Sequence, residues 1–204
     1  MRATEGLAFE PDSHTYRYHG RVVPSVTQVL ESWSTMRNLP PELLAIAGRR
    51  GHLVHEATEL DDHDDLNEAW AESVGVLGHV RGWRRFRREH EFEPVAIEYR
   101  VYSSEHRFAG TLDRFGPMRW PGARNRASLD ALIDIKSGVS DPTHSMQTAG
   151  YAGPIGHRGP RGCVYLHPDG TYDLQPHAVG TADWIDFLAC LRHYRWKERH
   201  GYRI

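Results

Sequence analysis

The residues of this chain best suited to chemistry lie in two short segments, Phe108-Ala109-Gly110-Thr111-Leu112-Asp113 and Leu132-Ile133-Asp134-Ile135-Lys136. Asp134 and Lys136 are two apart, so in a strand their side chains leave the same face, while Ile133 and Ile135 point the other way into a core. If the segments pair as strands, Asp113 and Asp134 converge at one end of the sheet with Lys136 beside them. Two convergent carboxylates and a backbone carbonyl suit a hard, oxygen-seeking cation such as Mg2+ or Mn2+. An adjacent ammonium can orient a water or offset the charge of a phosphate, which completes the set needed for metal-assisted phosphodiester hydrolysis. The lysine itself is informative: of the chain's 25 basic residues only Lys136 and Lys197 are lysine. Arginine is no substitute for a compact ammonium.

An isolated D-x-K is commonly a surface strand pair, so the neighbouring residues matter. Upstream, Gly51-His52-Leu53-Val54-His55-Glu56 falls in a helical stretch, and a neutral imidazole there would add a nitrogen ligand that favours Mn2+ over Mg2+. Downstream, Gln147 and Tyr151 are four apart on one helix face and can both hydrogen-bond a phosphate or water. Glu98, in Ile97-Glu98-Tyr99-Arg100-Val101, is a further carboxylate near the site, or a solvent-facing strand residue.

Several elements must position these groups. Turn signals at Pro11-Asp12-Ser13 and His19-Gly20 bracket an alternating strand at 15–18, giving a small N-terminal hairpin over about 7–23. Ser25 and Gln28 form a capping box for a helix whose apolar stripe is Val26, Val29 and Leu30. A second helix runs from Pro40-Pro41 to about Leu60 with the stripe Leu43, Leu44, Ala47, Gly51 and Val54. Residues 61–65, DDHDD, read as a solvated acidic link, and a third helix spans about 67–90. Strands follow at about 95–101, 107–115 and 128–136, with the loop 117–126 between the last two. A helix over 142–157, a hairpin at 162–167 and 171–175 turned by Pro168-Asp169-Gly170, and a helix over 181–200 complete the chain. The pattern is an α/β (α+β) chain, a short mixed central sheet flanked by helices, read as one domain over 1–204.

The order G-x-x-x-H (Gly51–His55), G-T-x-D (Gly110–Asp113), D-x-K (Asp134–Lys136) and Q-x-x-x-Y (Gln147–Tyr151) resembles the PD-(D/E)XK nucleases of the RecB and lambda-exonuclease type. The segment VPSVTQVL is similar to the opening of phage-encoded members. The resemblance covers roughly residues 14–155. It implies a restriction-endonuclease-like core and a Mg2+- or Mn2+-dependent deoxyribonuclease, an exonuclease rather than a sequence-specific endonuclease, in end-processing, recombination, repair or phage DNA metabolism. It implies His55, Asp113 and Asp134 as metal ligands assisted by the Ile135 carbonyl, Lys136 as the catalytic lysine, and Gln147 and Tyr151 as residues that shape the site. Relatives with an iron–sulfur cluster use four cysteines; this chain has two, Cys163 and Cys190, so no cluster is expected. No helicase module is legible, so a helicase, recombinase or single-strand-binding partner would be a separate protein. The competing reading is a non-catalytic nucleic-acid-binding or assembly subunit with the same fold.

Composition narrows the rest. With 204 residues, a net charge of -2 and 39% hydrophobic residues, the chain is neither a polycation nor a disordered or membrane-spanning polymer. No signal-peptide pattern opens it, and a cytoplasmic location is the default expectation. Contact with DNA must therefore use local patches. Arg81, Arg84, Arg85 and Arg88 recur on one face of the third helix. Arg124 and Arg126 lie in the loop beside the site strands.

Overall fold

The computed structural model describes residues 4–11, 13–123 and 127–202. An antiparallel three-stranded sheet opens the chain: β1 (Leu7–Glu10), β2 (Thr15–Tyr18) and β3 (Arg21–Val23). Helix α1 (Val26–Glu31) starts at the expected capping box, with the Gln28 N–H donating to Ser25 Oγ at 3.1 Å and the Ser25 N–H donating to Gln28 Oε1 at 2.9 Å. Helices α2 (Pro41–Asp62), α3 (Glu68–Ser73) and α4 (Leu77–His90) follow. The central sheet then forms from β4 (Ala96–Ser103), β5 (Phe108–Arg119) and β6 (Ser128–Lys136). Helix α5 (Thr143–Ala152) crosses to β7 (Arg161–Leu166), β8 (Tyr172–His177) pairs beyond it, and α6 (Ala182–Arg199) closes the described chain. Strand order is β4-β5-β6-β7-β8, with β6 and β7 parallel and the other pairs antiparallel. This is a mixed α+β architecture, a five-stranded mixed sheet flanked by helices, as the sequence leads one to expect.

Alternation along β6 builds a core on each face. Ala131, Ile133 and Ile135 pack with Val54 and Ala57 of α2 and Val80, Trp83 and Phe86 of α4. Leu132 faces the opposite way, into a cluster with Val26 and Val29 of α1, Tyr151 of α5 and Phe187 of α6. These buried side chains supply the burial energy that fixes the sheet between its helical layers, at about 1.5–3 kcal/mol for each large apolar residue. Gly78 lets α4 approach the β7–β8 turn: a Cβ there would sit 1.8 Å from the Pro168 carbonyl oxygen.

Four sequence expectations need correction. The helix expected over 67–90 is two helices, broken at Gly75, which adopts φ +78. The expected loop 117–126 is partly strand, because β5 runs on through Pro117 to Arg119, pairing with β6 as far as Ser128. Asp61 and Asp62 are not a solvated link but the last residues of α2, and the Asp62 side chain is fully buried. They face arginines: Arg84 pairs with Asp61 at 2.6 Å, and Arg87 and Arg114 pair with Asp62 at 2.8 and 2.5 Å. A guanidinium as buried as that of Arg114, which is fully inaccessible, has to be matched by a carboxylate. Finally, the apolar stripe of α2 is core only in its C-terminal half, since Leu43 is 51% exposed. Residues 41–50 of the helix are exposed or half-buried, and its buried residues are Val54, Ala57, Thr58 and Asp61.

One buried carboxylate ties α5 to the α1–α2 connection. Asp141 Oδ2 accepts from the Thr35 N–H at 2.8 Å, Thr35 Oγ1 at 2.6 Å and Ser34 Oγ at 3.1 Å, and its Oδ1 accepts from the Thr143 N–H at 2.9 Å. Burial opposes ionisation of this carboxyl, but the Thr143 and Thr35 donors outweigh it and hold the group well below its ordinary range. Its contribution is complete above the unfolded value of about 3.9 and fades as pH falls from there toward the folded value. Asp141→Ala should lower unfolding free energy by about 2–3 kcal/mol near neutral pH. The gap from wild type should narrow below about pH 4, as read by denaturant unfolding across that range.

Candidate metal centre

The β5–β6 ladder runs from Arg119↔Ser128 to Arg114↔Ile133 and stops there, one register step before Asp113 would meet Asp134. The Ile135 N–H donates instead to Asp113 Oδ2 at 2.6 Å. A carboxylate has thus replaced the neighbouring strand as acceptor, and the two strands part around the two aspartates. On the other side, the pairs Ile97↔Arg114 and Tyr99↔Leu112 flank Glu98, which stands opposite Asp113. Glu98 adopts φ +44, a left-handed conformation that a strand residue other than glycine rarely takes. Backbone strain of this kind concentrates at sites where a side chain must be aimed.

Helix α2 supplies the opposite wall. Val54, Ala57, Thr58 and Asp61 form its buried stripe, which turns His52, His55, Glu56 and Glu59 toward a cleft of about 670 Å3. His55 Nδ1 lies 3.6 Å from Glu98 Oε1 and 3.7 Å from Asp113 Oδ2, and one ligand atom from each residue falls within 4.8 Å of the others. These separations exceed a hydrogen bond, but they suit ligands that share one cation at about 2.0–2.2 Å each. Glu98 is held in place from behind. The buried Arg114 donates to Glu98 Oε1 at 2.9 Å and to the Asp113 carbonyl at 2.8 Å.

The second half of the site lies on β6 and α5. Lys136 Nζ sits 2.6 Å from Asp134 Oδ2 and donates to Gln147 Oε1 at 3.1 Å, while Gln147 Nε2 donates to Tyr151 Oη at 3.0 Å. The Cys163 thiol also donates to Asp134 Oδ2, at 3.4 Å. Gly110 leaves room for Tyr151, since a Cβ there would lie 2.7 Å from the phenol ring. Gly51 has no comparable constraint, because its Cβ would meet only Ser137 Oγ at 3.9 Å.

The electrostatics follow from burial and crowding. Burial works against a charged Lys136, but Asp134 more than compensates and raises its pKa, so it stays an ammonium. Burial also lowers His55, but Asp113 and Glu98 outweigh it and lift the imidazole to about 9. Asp113 is pushed up to about 7 by burial, with His55 opposing and Asp134 and Glu98 adding to the rise. Burial keeps the Tyr151 phenol neutral. Three carboxylates thus share a small space, with His55, Lys136 and Arg114 as the cationic groups beside them. In addition, Asp134 Oδ1 is buried without a hydrogen-bond partner. An oxygen-rich set with one imidazole, a crowded negative charge and an orphaned carboxylate oxygen fits a divalent cation such as Mg2+ or Mn2+.

Of the residues singled out in the sequence, the cleft brings together His55, Glu98, Asp113, Asp134, Lys136, Gln147 and Tyr151. The compact ligand cluster is His55, Glu98 and Asp113, with Asp134 turned toward Lys136. Ile135 enters the site through its N–H rather than through any contact of its carbonyl with these side chains. The arginines of α4 lie elsewhere. Arg84 is taken up by Asp61 and Glu68, Arg85 pairs with Glu89 at 2.8 Å, and neither they nor the exposed Arg81 and Arg88 line the cleft. Arg124 and Arg126 fall outside the described residues. Sequence reasoning missed Arg114, whose role depends on a partner 52 residues away, and Phe9, Tyr16 and Arg100, which also line the cleft.

No protein-family model and no curated protein matches the sequence. Among solved structures, the fold is similar to that of an alkaline exonuclease (LHK-Exo) from Laribacter hongkongensis, at 12% identity with a TM-score of 0.42. That match covers 59% of this chain and 64% of the other, less than two thirds of its length. It is also similar to the crystal structure of SSO0001, at 17% identity and a TM-score of 0.36, covering 87% of this chain and 84% of that one. Among the described residues, no helix is long and apolar enough to cross a membrane.

Because the pKa values of His55 and Asp113 are both raised, a cation bound by them would release protons. The apparent affinity for Mn2+ should therefore rise from pH 6 to pH 8, by about tenfold or more, in calorimetric titration. A flat or falling affinity over that range would contradict the ligand assignment.

Proposed function

We propose that this chain is a Mg2+- or Mn2+-dependent nuclease that hydrolyses DNA phosphodiester bonds, acting as an exonuclease. The observation that carries the reading is the parted β5–β6 junction. It sets His55, Glu98 and Asp113 around one point, with the half-free Asp134 carboxylate and the Lys136 ammonium alongside. A bound divalent cation would supply Lewis-acid charge at a phosphoryl oxygen and make water a better nucleophile. His55, Glu98, Asp113 and Asp134 would hold it, with the Ile135 carbonyl as a further donor.

The chain's own groups then divide the work. The Lys136 pKa is raised, so the residue does not act as a general base; its ammonium offsets charge that builds on the phosphate and orients a water by hydrogen bonding. Gln147 fixes that ammonium, and Tyr151 fixes Gln147, through the chain of hydrogen bonds from β6 to α5. Burial opposes the Glu98 charge, but His55 and then Arg114 outweigh it, and the Arg114 hydrogen bond holds the carboxylate in place. The four-motif resemblance supports the same assignment, as does the absence of a glycine-rich phosphate loop of the kind that nucleotide-handling enzymes use. A binding-only subunit would gain nothing from three crowded carboxylates beside a phosphate, whose repulsion weakens nucleic-acid affinity.

Linear single-stranded, linear double-stranded and covalently closed circular DNA, incubated with Mg2+, Mn2+ or EDTA, test the proposal. Linear DNA should be degraded only with the cation, and the circle should be spared. Lys136→Ala should reduce the rate by about a hundredfold or more with unchanged folding. Absence of cleavage by folded protein with either cation would favour the binding subunit.

A further inference from the structure

A second pocket lies beside the aromatic wall of the cleft. Phe9, Tyr16 and Arg100 line the cleft, with the Arg100 guanidinium 5.4 Å from the Phe9 ring centroid. Two residues further along the same strands, on the same faces, stand Tyr18 of β2 and Tyr102 of β4, a step of about 7 Å. Their rings stack with centroids 3.9 Å apart and planes 18° from parallel. They line a neighbouring pocket of about 600 Å3 whose other walls include His19, Arg21 and Arg107 and contain no carboxylate. Arg17, Arg84, Arg85, Arg87, Arg114, Arg119 and Arg161 each pair with an acidic residue. Among the described residues, the exposed guanidiniums of Arg21 and Arg107 have neither an ion-pair partner nor a hydrogen-bond acceptor.

We propose that this pocket holds an unpaired segment of the nucleic-acid strand whose scissile phosphate lies at the metal centre. Its phosphate would meet Arg21 and Arg107, and its base would rest against the Tyr18–Tyr102 pair. The proposal rests on the nuclease reading and adds the substrate form, a single strand or a frayed end. Two features favour that form. Cationic groups interleaved with aromatic faces are the chemistry that holds single strands without regard to sequence. A base offers its face to a side chain only when unstacked from its neighbours, which duplex DNA does not allow. The carboxylate-free lining also contrasts with the metal cleft one step away, so a strand leaving the acidic centre enters a region of opposite charge.

The test uses a phosphorothioate-linked dT12, which resists hydrolysis, with Mg2+ present, and reads affinity by fluorescence anisotropy across a salt series. The variants are Arg21→Gln/Arg107→Gln, which alters two exposed side chains, and Tyr102→Leu, which keeps an apolar group in the packing. Each should weaken dT12 binding by about tenfold, and the arginine pair should also flatten the salt dependence by about 0.7–1.4 in log–log slope. Unchanged unfolding midpoints would confirm that folding is intact. Wild-type affinity and slope in both variants would overturn the proposal, as would wild-type binding to a blunt duplex as tight as to dT12. Failure of the wild-type protein to bind any nucleic acid would overturn the nuclease reading itself.

Discussion

The opening of the sheet between β5 and β6 governs the arrangement of everything around it. A regular ladder would set Asp113 against Asp134 as cross-strand neighbours, and like charges directly opposite each other destabilise a strand pair. Here the ladder stops at Arg114↔Ile133, and Asp113 accepts the Ile135 N–H that the strand no longer satisfies. The exchange keeps a buried donor paired while freeing the carboxylates to converge on the cleft. The hydrophobic residues on both faces of β6 then hold this irregular junction in place.

Arg114 makes the arrangement tolerable without a cation. It is fully buried, ion-paired to Asp62 and Glu98, and lies with its guanidinium carbon 5.9 Å from the Trp83 ring centroid. One positive charge on β5 thereby connects α2, α4 and β4. On the cleft side, Lys136 performs the same service for Asp134. Each positive group serves carboxylates that burial would otherwise neutralise, which is how three of them can sit so close. One carboxylate oxygen is still left over, and the imidazole and Asp113 retain protons that a cation would displace.

Much of this was legible in the sequence because its signals are local. The capping box at Ser25 and Gln28, the alternation of Ile133, Asp134, Ile135 and Lys136, and the four-residue spacing of Gln147 and Tyr151 each fix a direction with short-range geometry alone. The failures share a different character. The ion pairs of Asp61 and Asp62 depend on arginines 23 to 52 residues away, and a run of acidic residues looks the same whether solvated or buried. The exposed start of α2 depends on which elements pack against it, which no local periodicity reports. The sequence leaves Glu98 with two readings, because the left-handed backbone at that position and its bond from Arg114 have no local signal.

We propose that the parted strands form a binding site for one divalent cation. A crystal structure of the protein soaked in Mn2+, with anomalous scattering from the metal, tests it most directly. A single strong peak enclosed by His55, Glu98 and Asp113 is expected, with Asp134 Oδ1 drawn toward it. A peak elsewhere, or an empty cleft with the four side chains unmoved at saturating Mn2+, would contradict it.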